Sequence, residues 1–161
     1  MQWKDFLERF WYNINRNTQY ELLGTLSMSF KGEFILGIIN ILVCVTQQKT
    51  CERLIRNAAL LRDELKGNLF VIHVVKDNLK FLNNIKEGEA LEYLFGISKS
   101  VGANLSVLKS DEIAHTIADF VLQNKIDCIV LGESPDDSSS KSFVGELKAV
   151  VSEKVEFKII P

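Results

Sequence analysis

Five short apolar runs punctuate the chain, at 38–45, 69–75, 104–108, 127–131 and 155–160. Most are apolar continuously rather than alternately, which is the pattern of strands covered by helices on both faces. The segments between them carry apolar residues at helical spacing. Leu54, Ala58, Leu61 and Leu65 predict a first crossover helix, with Thr50 as its cap and Gly67 as its stop. Leu91, Leu94, Phe95 and Val101 predict a second helix ending near Gly102, and Ile113, Ile117, Phe120 and Val121 a third behind a Ser110-Asp111 cap. Val144, Leu147 and Val151 predict a fourth. Strands alternating with helices define an α/β fold, here a five-stranded parallel sheet with helices on both faces. In such a sheet the ligand crevice lies beyond the carboxyl ends of the strands.

The first 37 residues stand outside that repeat, so the expected division is an appendage, 1–37, and an α/β domain, 38–161. Trp3, Phe6, Leu7, Phe10, Trp11 and Ile14 place a broad aromatic face on an amphipathic helix. Such a face packs on its own domain or on a twin subunit; the alternatives are docking to another protein or to a membrane surface. Lys4, Asp5, Glu8 and Arg9 nearly cancel, unlike the basic face of a helix that binds anionic lipid. Leu26, Met28 and Phe30 alternate with Thr25, Ser27 and Ser29 before Lys31-Gly32, predicting a β-hairpin.

Composition narrows the functional classes. With 19 basic and 21 acidic residues the net charge is −2. There is no surplus positive field to gather a nucleic acid. The longest apolar run, 34–45, contains Asn40 and falls well short of the roughly 20 residues of a spanning helix. The expectation is a cytoplasmic chain without a membrane span or a secretory leader. The same pattern fits a cytoplasmic domain cut from a larger membrane protein. Cys44, Cys51 and Cys128 match neither a disulfide framework nor a metal knuckle; reduced thiols and no metal are expected.

Strand order puts three places in the crevice: the loop after the first strand, Thr46-Gln47-Gln48-Lys49; the end of the second, His73-Val74-Val75; and the long loop from Gly132 to Phe143, which includes Ser134 and a short Asp136-Asp137-Ser138-Ser139-Ser140 stretch that reads as a mobile loop. The site residues expected there are Thr46, Gln47, Gln48, His73, Val74, Gly132, Ser134 and Gly145. His73 has the chemistry of an acid or base. No carboxylate or nucleophile accompanies it in the sequence, so no catalytic residue is assigned and the chain is expected not to be an enzyme. His115 is expected on the surface or in a groove.

Ile41-Leu42-Val43-Cys44-Val45, Ile72-His73-Val74-Val75 and Ile126-Asp127-Cys128-Ile129-Val130-Leu131-Gly132 together resemble the signature strands of the universal stress protein family. The resemblance covers about 38–161. It is closest to the branch found in Kdp-type potassium sensor kinases, whose first helix is similar to Cys51-Glu52-Arg53-Leu54-Ile55-Arg56-Asn57-Ala58-Ala59. It implies strand order 3-2-1-4-5, a homodimer paired through the last strand, and a regulatory or scaffold role, for instance as the cytoplasmic part of a transporter or sensor kinase. The alternative it implies is binding of an adenine nucleotide (ATP, AMP or cyclic di-AMP) with weak or no hydrolysis.

Nucleotide-binding members of the family carry an acid after the first strand and a loop G-x2-G-x9-G-[ST] whose amides wrap phosphates. On this chain the acid corresponds to Thr46, the three glycines to Gly132, Pro135 and Gly145, and the hydroxyl to Glu146. Pro135 has no amide hydrogen to donate. Asp136, Asp137 and Glu146 add like charge, which within about 4 Å costs on the order of 1 to 4 kcal/mol; Lys141 offsets part of it. The family's cyclic di-AMP pattern S-x-S-x20-F-T-A-x-Y keeps its spacing, with Thr46, Gln48, Leu69, Phe70, Val71 and His73 in place of its residues. The resemblance therefore implies the family's crevice with a weakened phosphate grip.

Overall fold

The computed structural model describes residues 8, 9, 12, 38–45, 51–76, 85–133 and 139–161, without the side chains of 85–87 and 139–142. The chain divides into two compact units, Met1–Leu36 and Gly37–Pro161. In the first unit Glu8, Arg9 and Tyr12 are helical and exposed; the residues of the aromatic face and the expected hairpin lie outside the described residues.

The second unit alternates strand and helix: β1 (Asn40–Cys44), α1 (Cys51–Leu65), β2 (Asn68–Val75), α2 (Ile85–Ser100), β3 (Asn104–Lys109), α3 (Ile113–Gln123), β4 (Cys128–Gly132), α4 (Ser139–Val150) and β5 (Glu156–Ile160). The five strands form one parallel sheet in the order β3-β2-β1-β4-β5. This is the α/β architecture expected from the sequence, with β1 at the centre and β3 and β5 at the edges.

Alternation along each strand sorts the core onto two faces. Leu42, Ile72, Ile129 and Leu131 pack with Ala114, Ile117 and Val121 of α3 and Leu147 of α4. Their strand neighbours Ile41, Val43, Leu69, Val71 and Val130 point to the other face and are equally buried. There α1 crosses β1, β2 and β4, burying Leu54, Ile55, Ala58, Leu61 and Leu65. Burial of a side chain of this size contributes roughly 1.5 to 3 kcal/mol, and both faces are filled with such residues. In α2 the buried side chains are Leu94, Ile97 and Ser98, while Phe95 is exposed. The sequence reading placed Phe95 on the inner face. One residue along a helix turns about 100°, and Ile97 and Ser98 complete the inner stripe instead.

The helix ends carry the signals that return the chain to the sheet. At the end of α1 the amide of Gly67 donates to the carbonyl of Arg62 at 3.0 Å, and Lys66 takes the left-handed conformation with φ 52. The residue that turns the chain is therefore Lys66, not Gly67 as the sequence suggested. Gly67 is required for another reason: a Cβ there would run into the carbonyl oxygen of Ile39. Lys125, with φ 50, plays the same part after α3, where Ile126 donates to Val121 at 3.0 Å. The start of α3 also shifts. Its N-cap is Glu112, and Ser110 Oγ accepts the Glu112 amide at 3.0 Å in a turn just before the helix.

The amino ends of the strands are tied by one polar cluster. Asn40 donates its amide to Asp127 Oδ2 at 2.8 Å, and Asp127 returns its own amide to the Asn40 carbonyl at 2.8 Å. Asn40 Nδ2 donates to the carbonyls of Asn124 and Lys125 at 3.1 and 3.2 Å, and Asn68 Nδ2 donates to Asn40 Oδ1 at 3.0 Å. The Asn40 side chain thus links β1, β2 and the end of α3, and its backbone ties them to Asp127 just before β4. On the outer surface of α1, Glu52 accepts from Tyr93 of α2 and from Arg56. Its carboxyl is held below its ordinary range by the Tyr93 hydroxyl first and Arg56 next.

Candidate functional site: the crevice at the carboxyl ends of the strands

Strand order reverses between β1 and β4, because the chain fills the sheet on one side of β1 first and then crosses to the other. The described residues around this point are Cys44 and Val45 from β1 and its end, His73, Val74 and Val75 from β2, and Gly132 and Glu133 from β4 and its end. Thr46, Gln47, Gln48 and Ser134 lie outside the described residues.

β1 stays joined to β2 at its end: the Val45 amide donates to the Ile72 carbonyl at 3.0 Å, and the imidazole of His73 lies with Nδ1 3.0 Å from the Val45 carbonyl oxygen. A carbonyl oxygen only accepts, so Nδ1 carries the hydrogen and the neutral ring presents Nε2 as an acceptor. His73 is 4% exposed. Its Nε2 is buried and has no partner among the described residues, a condition that costs about 1 to 3 kcal/mol unless water or a ligand meets it. Val74 points to the opposite face and is half-buried against the α3 and α4 core.

Burial disfavours the thiolate at Cys44 and Cys128. Burial pushes the Cys44 thiol up to about 12, and burial, with Glu156 and Asp127 as lesser causes, pushes Cys128 higher still. A thiol in that condition is almost wholly protonated at neutral pH. Among the described residues no cluster of His, Cys, Asp or Glu could hold a metal ion. His115, expected at the surface or in a groove, is exposed on α3.

The two glycines of the candidate loop are far from equivalent. Gly132 is the last residue of β4, paired with Ile160 of β5. A Cβ there would make only ordinary contact with Leu54, at 3.8 Å. The next amide, Glu133, donates to the Ile160 carbonyl at 2.8 Å. Gly145 lies inside α4, seventh of its 12 residues, exposed and with nothing near the position of a Cβ. The sequence reading treated 132–143 as one long loop with a mobile stretch ahead of the helix. The helix instead begins at Ser139, so the connection is 133–138. Acids and serines are favoured in turns and at helix N-termini alike; Ser139 and Ser140 belong to the helix, and Asp136, Asp137 and Ser138 lie outside the described residues.

Glu133 was not singled out by the sequence pattern, although it stands at the mouth of the switch point and is exposed. The signal was its position immediately after an apolar strand. The amino-end cluster around Asn40 was also missed, and it lies at the end of the sheet away from the crevice.

No protein-family model and no curated relative matches the sequence. Solved structures do match. A universal stress protein in complex with cAMP aligns at a TM-score of 0.58 and 10% identity, covering 76% of this chain and 96% of that one. The universal stress protein from Archaeoglobus fulgidus in complex with dAMP aligns at 0.57 and 21% identity, over 76% and 98%. A bacterial class III photolyase from Agrobacterium tumefaciens aligns at 0.57 and 18% identity, over 82% of this chain and 27% of that one. At these identities the likeness is one of fold: the sheet, its strand order and its four helices are those of universal stress proteins. The photolyase illustrates that one layered architecture serves different chemistries.

Proposed function

We propose that this chain is a non-catalytic regulatory or scaffold domain of universal stress protein type, a homodimer in the cytoplasm that conveys a small-molecule or protein signal to a partner such as a membrane transporter or a Kdp-type sensor kinase. The observation that carries the reading is the commitment of His73, the one imidazole at the crevice among the described residues. Its Nδ1 hydrogen goes to the backbone carbonyl of Val45 rather than to a carboxylate that would hold an imidazolium, and its Nε2 meets no nucleophile among the described residues; acid–base work needs such a partner in reach. The protonated thiols point the same way. Among the described residues no helix is long and apolar enough to cross a membrane, so attachment to a transporter would come from a partner chain or from another part of a longer protein.

The second reading is an adenine-nucleotide-binding protein with weak or no hydrolysis. The structural neighbours crystallised with cAMP and dAMP favour it. Phosphate release from ATP is the test of non-catalysis: release at the rate of buffer alone is expected, and turnover that disappears in a His73→Ala variant would overturn the reading. For the dimer, light scattering on the purified chain should give twice the monomer mass. Ile159 lies on the edge strand β5 and is 39% exposed; Ile159→Lys should return the mass to that of one chain.

A further inference from the structure

We propose that the crevice selects by charge, admitting an uncharged ligand that donates an N–H or O–H hydrogen bond and turning away the phosphate ester of the same ligand. The inference rests on the reading of the crevice as a binding site for a small-molecule signal. Two sets of observations meet here, one at β2 and one at β4.

At β2 the unsatisfied atom is an acceptor. His73 is held by its Nδ1 side to Val45, and its Nε2 is buried without a partner among the described residues. Buried polar atoms in native folds are almost always paired; of the two orphans among the described residues, His73 Nε2 and Ser98 Oγ, the one on the strand that ends at the crevice is read here as the position of a missing donor. Val71 and Val75, two residues to either side on the same face, are buried apolar residues. A neutral, flat molecule with an N–H suits such surroundings; a phosphate oxygen, itself an acceptor, does not.

At β4 the groups that hold phosphates elsewhere are already engaged. Backbone amides at strand ends and helix starts bind phosphate when they are free. The Glu133 amide is bonded to Ile160, and an exposed carboxylate stands at the same residue. The amides of Gly145 and Glu146 belong to the interior of α4, where each is bonded within the helix, and Glu146 places a second exposed carboxylate there. The first turn of α4 does leave amides free. It begins six residues before Gly145, about 9 Å along the helix, and Asp136 and Asp137 precede it in the chain. Acids just before a helix start in sequence set like charge against a phosphate, of which Lys141 offsets only part. Lys76 follows β2 and Lys109 ends β3, and strands about 4.8 Å apart put them roughly 10 and 15 Å from β4.

Calorimetric titration of the full chain with adenosine, AMP and ATP at neutral pH and low salt tests the proposal. Adenosine should bind at least about tenfold more tightly than AMP, and AMP more tightly than ATP; the gap should narrow as salt is added and in Glu133→Gln. His73→Asn keeps a donor for Val45 but offers no acceptor in place of Nε2, and should weaken adenosine by roughly tenfold. His73→Gln, whose amide oxygen reaches the Nε2 position, should recover part of that loss. The unfolding midpoint of each free variant shows that it is folded. AMP or ATP binding as tightly as adenosine, or no binding of adenosine, overturns charge selection and leaves the non-catalytic reading intact, since that reading falls only on phosphate release. An unchanged adenosine affinity in His73→Asn overturns the part given to His73 and leaves its Nε2 to an ordered water.

Discussion

Gly145→Ala is the substitution that separates the two descriptions of the β4–α4 connection. If Gly145 were a loop glycine needed for close approach to a phosphate, alanine would be harmful. In the structure it is the seventh of the 12 residues of α4, exposed, and nothing lies within 4 Å of a Cβ built there. The new methyl group therefore meets no neighbour, and the remaining effect is helix propensity. Glycine in an exposed helix interior is less favourable than alanine by about 0.8 to 1.0 kcal/mol. For a chain of 161 residues that corresponds to a rise in unfolding midpoint of roughly 2 to 4 °C. Urea titration followed by circular dichroism should give a higher midpoint with an unchanged slope. A midpoint lowered by the alanine would refute the reasoning, because it would mean that residue 145 is not in a regular, solvent-facing helical turn. The assignment of α4 from Ser139, and with it the claim that these amides are unavailable to a ligand, would fall too.

Gly67→Ala should act in the opposite sense: the Cβ would collide with the Ile39 carbonyl oxygen, and overpacking of this kind costs about 1 to 3 kcal/mol, read as a lowered urea midpoint. Lys125→Gly should stabilise by up to roughly 1 kcal/mol by removing a side chain from a left-handed position; a loss of stability would show that its side chain makes a contact worth more than the strain. Asn40→Ala removes three side-chain hydrogen bonds and should cost about 1 to 3 kcal/mol, while Asn40→Asp, which turns an acceptor toward two carbonyl oxygens, should be worse. Equal midpoints for the two variants would argue against that geometry. Burial raises the Asp127 carboxyl, with the Asn40 amide as a smaller opposing cause, so the folded state binds its proton more readily than the unfolded chain. That contribution is complete below the unfolded value and is lost as pH rises through the folded one. Asp127→Asn should therefore flatten the fall in stability between the unfolded and folded carboxyl values, and a thermal midpoint with the wild-type pH slope there would count against it.

The sheet was legible because its strands are continuous apolar runs and its helices carry stripes, and both patterns arise from burial. Legibility failed where one local signal serves two structures. The run Asp136 to Ser140 has the composition of a loop and of a helix start. Gly67 is a helix-stop residue by type, yet the left-handed turn falls on Lys66, because the close approach to Ile39 is what only glycine tolerates. Phe95 fits the apolar stripe of α2 by type, but the inner positions go to Ile97 and to Ser98, a polar residue that apolar patterning passes over. Strand order names the end of the sheet where a crevice is expected, and the structure brings Val45, His73 and Gly132 to that end. The commitments of its groups, such as the imidazole hydrogen to Val45 and the Glu133 amide to Ile160, depend on contacts between strands 28 residues or so apart and have no signature along the chain.

The two ends of the sheet are built to different rules, and this bears on how variants should be read. At the amino end Asn40 satisfies both halves of its amide and Asp127 accepts an amide in return; each group there is paired, and substitution should change stability alone. At the carboxyl end the buried acceptor of His73 is unpaired among the described residues and the glycines at 132 and 145 are imposed neither by packing nor by a left-handed backbone. A fold under no other constraint would gain by pairing that acceptor and by replacing the helical glycine with alanine. The contrast can be put to use: substitutions at Asn40 should leave adenosine affinity unchanged at temperatures where the variant is folded, and substitutions at His73 should change affinity more than the midpoint.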